Sequence, residues 1–110
     1  MDWHSLQSEA QLEAVLKASA EKPQVVFKHS TRCSISAMAK SRLERQQEQR
    51  NVAADFHLIN VVKDKPISSA AAEKFAVHHE SPQLIVLKNG EVVLDQSHYD
   101  IQLEEVTEVL

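Results

Sequence analysis

The fold can be predicted outward from residues 25–36, Val25-Val26-Phe27-Lys28-His29-Ser30-Thr31-Arg32-Cys33-Ser34-Ile35-Ser36. Its apolar beginning is β-branched and has no helical period, which predicts a short buried strand over 25–28. After a polar turn, apolar residues recur at helical spacing, so a helix is predicted from Cys33 onward. The residues that mark its packed face are Ile35, Met38, Ala39 and Leu43.

Cys33 is the only cysteine of the chain, and its predicted place at a strand-to-helix turn makes it a candidate nucleophile. The N–H groups at a helix start and the positive end of the helix dipole favour a thiolate. Arg32 adds a positive charge beside it. His29 either adds a second charge or is only a half-exposed strand end, and Ser36 either donates to the thiolate or is only a polar residue of the first helical turn. Because Ser36 is no thiol, a mixed disulfide at Cys33 must be resolved by another molecule.

Length and composition favour one globular domain over residues 1–110, with 43% hydrophobic and 25% charged residues. A net charge of −4 argues against nucleic acid as a partner. The apolar runs are too short to span a membrane, and one cysteine without a disulfide framework fits a cytoplasmic location. The neighbouring His78 and His79 point in different directions, so no metal site is expected from them.

The rest of the chain is predicted to alternate helices and strands. Ser8-Glu9-Ala10-Gln11 fits a capping box, Asn89-Gly90 fits a two-residue hairpin turn, and Asp100 is able to cap the last helix. The remaining predictions are a helix over 9–20, a strand over 56–62, a helix over 67–75, strands over 83–87 and 92–94, and a C-terminal helix.

This order of elements, with Cys33 at a turn and Pro82 just before the hairpin, resembles a thioredoxin-like domain. The segment from Ser81 to Val92 is similar to the one that carries a cis-proline facing the reactive cysteine in thioredoxins, and the resemblance covers residues 23 to 110. It implies an α/β fold with a central mixed four-stranded sheet flanked by helices, and a cis-proline before the third strand.

More narrowly, residues 27–36 and 79–83 resemble the YtxJ family, the monothiol bacilliredoxins. The resemblance implies a monothiol thiol–disulfide oxidoreductase in which Cys33 removes bacillithiol, or a similar small thiol, from mixed disulfides on other proteins. It implies no bound cofactor, bacillithiol as co-substrate and mixed-disulfide proteins as partners, and we expect a monomer. Ser34 stands where the family often has proline, and Phe27 stands where thioredoxins keep a buried acid, so no proton shuttle of that kind is assigned.

The substrate-binding prediction follows from the same resemblance. A cis bond between Ser81 and Pro82 turns backbone groups toward Cys33, where an extended substrate segment is able to pair with them. Thr31 and Ser34, close to Cys33 in sequence, are assigned to the same surface, and Arg32 is able to steer an anionic thiol.

Two other functions stay open at this stage. One is a thioredoxin-like binding or scaffold module whose cysteine takes no part in catalysis. The other is a partner in iron–sulfur assembly, like the monothiol glutaredoxins. That reading is the weakest of the three, because those proteins carry glycine-rich segments and this chain has Gly90 alone.

Overall fold

Strands and helices alternate along the chain in the computed structural model, which describes residues 1–110. The strands are β1 (His4–Ser5), β2 (Gln24–His29), β3 (Asp55–Asn60), β4 (Gln83–Lys88) and β5 (Glu91–Ser97). The helices are α1 (Glu9–Ala18), α2 (Ser34–Arg50), α3 (Lys65–Phe75) and α4 (Leu103–Val109), and a 3₁₀ turn covers His98–Asp100. No helix has both the length and the apolar composition needed to cross a membrane.

The strands form one mixed sheet in the order β1-β3-β2-β4-β5. β2 runs parallel to β3 on one side and antiparallel to β4 on the other. The predicted sheet of four strands is therefore corrected to five. The missing strand is β1, which pairs His4 and Ser5 with β3 and is too short to show an alternating pattern in the sequence.

Helices cover both faces of the sheet, and the side chains of β2 point alternately to the two faces. Val25 and Phe27 belong to the core cluster that contains residues of α2 and α4. Val26 belongs to the other cluster, which contains residues of α1 and α3. Lys28 lies on the same side as Val26 and is fully buried, with its ammonium group against α3. This arrangement confirms the prediction of a sheet with helices on either side.

Two local predictions are confirmed in detail. The Ser8 hydroxyl accepts a hydrogen bond from the Gln11 backbone N–H, and the Gln11 side chain reaches back to the Ser8 backbone, as a capping box requires. In the β4–β5 hairpin, Asn89 and Gly90 both have positive φ, at 54° and 77°. A type I′ turn needs positive φ at both of its central residues, which explains this dipeptide.

Two other predictions are wrong. Asp100 lies in the 3₁₀ turn and does not cap α4, whose first N–H, that of Leu103, donates to the Gln46 side chain at 2.7 Å. Met38 is 61% exposed, because α2 turns Ser36 inward together with Ala39 and Leu43. The ends of the other predicted elements lie within three residues of the observed ones.

Candidate active site

Cys33 is held between the end of β2 and the start of α2. It is the N-cap residue of α2 and is half-buried, as a strand-to-helix turn predicts. Its backbone N–H donates to the Ser30 carbonyl at 3.2 Å, and its carbonyl accepts from the Ala37 N–H at 3.1 Å. The turn and the first helical bonds therefore fix the backbone on both sides of the sulfur.

The loop before β4 lies across from this turn. The peptide bond between Ser81 and Pro82 is cis. Pro82 is buried, and its carbonyl accepts a hydrogen bond from the His98 N–H at 3.1 Å. The Ser81 hydroxyl oxygen is buried and has no hydrogen-bond partner in the structure. Ser81 and Cys33 line the same cavity, so the two separated motifs of the sequence meet in space.

This cavity beside Cys33, which we call the thiol cavity, has a volume of about 770 Å³. Among the predicted site residues, Arg32, Cys33 and Ser81 line it. Thr31 and Ser34 are exposed but do not line it, and Pro82 is buried and does not line it either. The full set of lining residues is Ser30, Arg32, Cys33, Val61, Val62, Lys65, Ser68, Ser69, His79 and Ser81.

Ser36 and His29 bind each other instead of Cys33. The Ser36 hydroxyl is fully buried, accepts from the Ser30 N–H at 2.9 Å and lies 2.6 Å from His29 Nδ1. The hydrogen bonds of this hydroxyl go to His29 and to the Ser30 N–H and none goes to Cys33, so a bond from Ser36 to the Cys33 thiolate has no support here. Burial lowers the pKa of His29, and Lys40 lowers it further, so the ring is neutral at pH 7 and adds no charge.

A buried polar group behind the thiol cavity was not predicted from the sequence. Lys28 Nζ lies 3.0 Å from the Ser68 carbonyl oxygen and 3.0 Å from His79 Nδ1, and both of these residues line the cavity. The available signal for Lys28 was its place as a charged residue at the end of an otherwise apolar predicted strand. Lys65 was also missed. Its signal was its place directly before Pro66, at a predicted helix start.

Comparison with known families decides the relationship that the two motifs suggested. The family model described as monothiol bacilliredoxin BrxC matches residues 4–106. The chain belongs to the monothiol bacilliredoxin family. The match extends further toward the N-terminus than the resemblance over residues 23–110 and includes β1 and α1 of this bacilliredoxin.

Solved structures agree with this relationship. The bacilliredoxin is 32% identical to a protein whose structure is assigned as an oxidoreductase with a thioredoxin fold, with a TM-score of 0.83 over 96% of this chain and 91% of that one. It shares the fold of Fasciola hepatica thioredoxin at 20% identity, with a TM-score of 0.75 over 97% and 99% of the two chains. Schistosoma mansoni thioredoxin gives 22% identity and a TM-score of 0.74 over the whole of both chains.

These comparisons establish two of the sequence predictions for this bacilliredoxin. Its fold is thioredoxin-like, since structures of thioredoxins superpose on almost its full length. Its activity is that of a thiol–disulfide oxidoreductase, which the match to the monothiol bacilliredoxin family and the likeness to an oxidoreductase with a thioredoxin fold support. Its single cysteine fits the monothiol type.

Proposed function

We propose that this protein removes bacillithiol, or a similar small thiol, from mixed disulfides on other proteins, with Cys33 as the nucleophile. The proposal rests on the position of Cys33, the only sulfur nucleophile of the chain. Cys33 begins α2, is half-buried rather than sealed in the core, and lines a cavity that Ser81 also lines. Thiol–disulfide exchange needs an accessible thiolate, and the start of a helix favours that form.

The exchange takes two steps. In the first, the Cys33 thiolate attacks the small-thiol sulfur of the mixed disulfide, so that a bond forms between Cys33 and the small thiol. The protein sulfur leaves as a thiolate and takes a proton from water. In the second, a thiolate of another small-thiol molecule attacks the adduct, which releases a symmetrical small-thiol disulfide and regenerates Cys33. One disulfide is consumed and one is formed, so the protein sulfur is reduced to a thiol while one free small thiol is oxidised as it joins the small thiol removed from the target.

Ser36 makes the second small thiol necessary. It stands where a dithiol oxidoreductase has its resolving cysteine, and its hydroxyl is already bonded to His29 and to the Ser30 N–H. The chain has no other sulfur nucleophile that would resolve the adduct internally. The co-substrate and the partners in this proposal are thus a small cytoplasmic thiol and proteins that carry it, with the chain acting as a monomer.

The proposal is tested with a model protein that carries one bacillithiol mixed disulfide. Wild type is incubated with it in single-turnover amounts, and intact mass shows which chain carries the small thiol. We expect the adduct to leave the model protein and to appear on the wild-type chain, while Cys33→Ser leaves the model protein unchanged. Adding free bacillithiol should then return wild type to its unmodified mass.

The matched control is Ser41→Ala, which removes an exposed hydroxyl from the same helix and leaves the sulfur in place. It should transfer the adduct much as wild type does. Loss of the adduct at the same rate with Cys33→Ser and with wild type would overturn the proposal. So would a model protein that keeps its adduct in the presence of wild type.

A further inference from the structure

The charge of the thiol cavity is opposite to that of the chain as a whole. The chain has sixteen acidic residues against twelve lysines and arginines, yet none of the ten cavity-lining residues is a carboxylate. Arg32, Lys65 and His79 are among them. The acids nearest in sequence lie outside the lining. Of these, Glu80 lies 3.9 Å from His78 and 3.7 Å from His98, and Asp64 is the N-cap residue of α3.

The cavity's two permanent cations have no partner of their own. Arg32 precedes Cys33, and Lys65 is the first residue of α3, so they reach the cavity from two different elements. Both are exposed, and neither forms an ion pair or a side-chain hydrogen bond in the structure. Their charges are therefore free to meet a bound anion at the mouth of the cavity.

A third positive group supports the cavity from behind. Lys28 is fully buried and donates to the Ser68 carbonyl and to His79 Nδ1, each at 3.0 Å. Burial lowers its pKa to about 8, so the ammonium form still predominates at pH 7. Because His79 Nδ1 accepts this bond, the ring proton is on Nε2, which leaves His79 as a neutral donor on the cavity wall.

We propose that the thiol cavity binds the carboxylate-bearing part of a small thiol, and that Lys65, with Arg32, selects anionic thiols over neutral and cationic ones. The inference rests on the proposed function, because the bound thiol is the one that Cys33 attacks. A volume of about 770 Å³ lies within the range of small-molecule sites, roughly 300–1,000 Å³. Two serines of the lining that are not buried, Ser30 and Ser69, offer hydroxyl groups to the rest of such a molecule.

The experiment compares three mixed disulfides of one model protein that differ only in the charge of the small thiol. The thiols are mercaptosuccinate, with two carboxylates, thioglycerol, which is neutral, and cysteamine, which is cationic. The rate of adduct transfer to Cys33 is measured by intact mass. Each rate is divided by the rate at which dithiothreitol reduces the same disulfide, which removes differences in intrinsic reactivity.

For wild type we expect the normalised rate to be about fivefold higher or more for the mercaptosuccinate adduct than for the thioglycerol adduct, and lowest for cysteamine. Lys65→Ala should remove most of this advantage, and Lys65→Glu should reverse the order of the two charged adducts. Raising the salt concentration should weaken the preference in wild type, since ions screen exposed charges.

Lys63→Glu is the matched control, because Lys63 is exposed, lies two residues away and does not line the cavity. It makes the same change in net charge and should keep the wild-type preference. Equal effects of Lys63→Glu and Lys65→Glu would overturn the inference, as would normalised rates that do not depend on the charge of the thiol. In both cases transfer itself continues. If wild type accepts none of the three adducts, the proposed function fails as well.

Discussion

Ser36 holds the turn that carries Cys33 to the helix that follows it. Its buried hydroxyl accepts from the Ser30 N–H at the start of the turn and bonds to His29 at the end of β2. One side chain in the first turn of α2 thus satisfies a backbone donor and a ring nitrogen that would otherwise lose a partner. The role of a serine at this position is structural support for the reactive turn, in addition to the absence of a second thiol.

We predict that Ser36→Ala lowers the free energy of unfolding by about 1–3 kcal/mol, since it leaves the Ser30 N–H and His29 without their shared partner. Urea denaturation followed by circular dichroism measures the effect. The control is Ser34→Ala, which removes an exposed hydroxyl from the same helical turn and should change the free energy by no more than about 0.5 kcal/mol. Equal losses in the two variants would contradict the role given to Ser36.

For single residues, the position of the reactive atom can be predicted from the sequence more readily than the contacts around it. The position of Cys33 follows from local signals, an apolar strand and a helical period. The partners of Ser36 depend on how α2 is rotated about its axis, and the sequence pattern placed Met38 on the packed face where the structure has Ser36. That rotation is set by packing against the sheet, which no short window of sequence contains.

Among the elements, β2 is the strand on which the site depends. It lies in the middle of the sheet and leads directly into the turn that carries Cys33. Its last buried residue, Lys28, is a lysine with no water contact, tied to Ser68 of α3 and to His79 in the loop before β4. These bonds link the central strand to two walls of the thiol cavity.

We predict that the stability of wild type rises between pH 8 and about pH 10.5. The unfolded chain binds a proton at Lys28 up to its ordinary pKa of 10.5, whereas burial lowers the pKa in the folded chain to about 8. In this interval the unfolded state holds more protons, so raising the pH favours the folded state, by at most about 3 kcal/mol. Urea denaturation at a series of pH values measures the slope.

Two methionine variants test whether Lys28 is the source of this pH dependence of stability. Lys28→Met lacks the buried titrating group and should show a flatter dependence over the interval than wild type. Lys63→Met changes an exposed lysine and should keep the wild-type slope. If both variants kept it, the buried ammonium of Lys28 would not be its source.

Element by element, the sequence was most informative where a local interaction decides the structure. The capping box at Ser8 and the turn at Asn89-Gly90 are set by neighbouring residues, and both were predicted. α4 begins where the Gln46 side chain of α2 accepts the first N–H of the helix, a contact between residues 57 positions apart. The prediction that Asp100 caps this helix was wrong because it used neighbouring residues only. β1 exists because β3 offers a free edge, which also lies outside local sequence.

For the whole molecule, Trp3 joins the N-terminal segment to the main core. Its ring centroid lies 5.7 Å from that of Phe27 in β2 and 5.9 Å from that of Phe56 in β3. Its indole N–H donates to Glu44 of α2 at 2.9 Å. The segment that carries β1 is thus packed against both the sheet and the helix that begins at Cys33.

Trp3 is the only tryptophan, so tryptophan fluorescence reports on the packing of the N-terminal segment against the core. Far-UV circular dichroism reports on all helices and strands. If the chain is one domain, the two signals should follow a single urea transition with one midpoint. The physical reason is that β1 and Trp3 are bonded to elements that also build both core clusters, so they should not separate before the core opens. A fluorescence midpoint at clearly lower urea would mean that the N-terminal segment detaches first. In that case the rest of the sheet and the thiol cavity would form a cooperative unit that does not need β1.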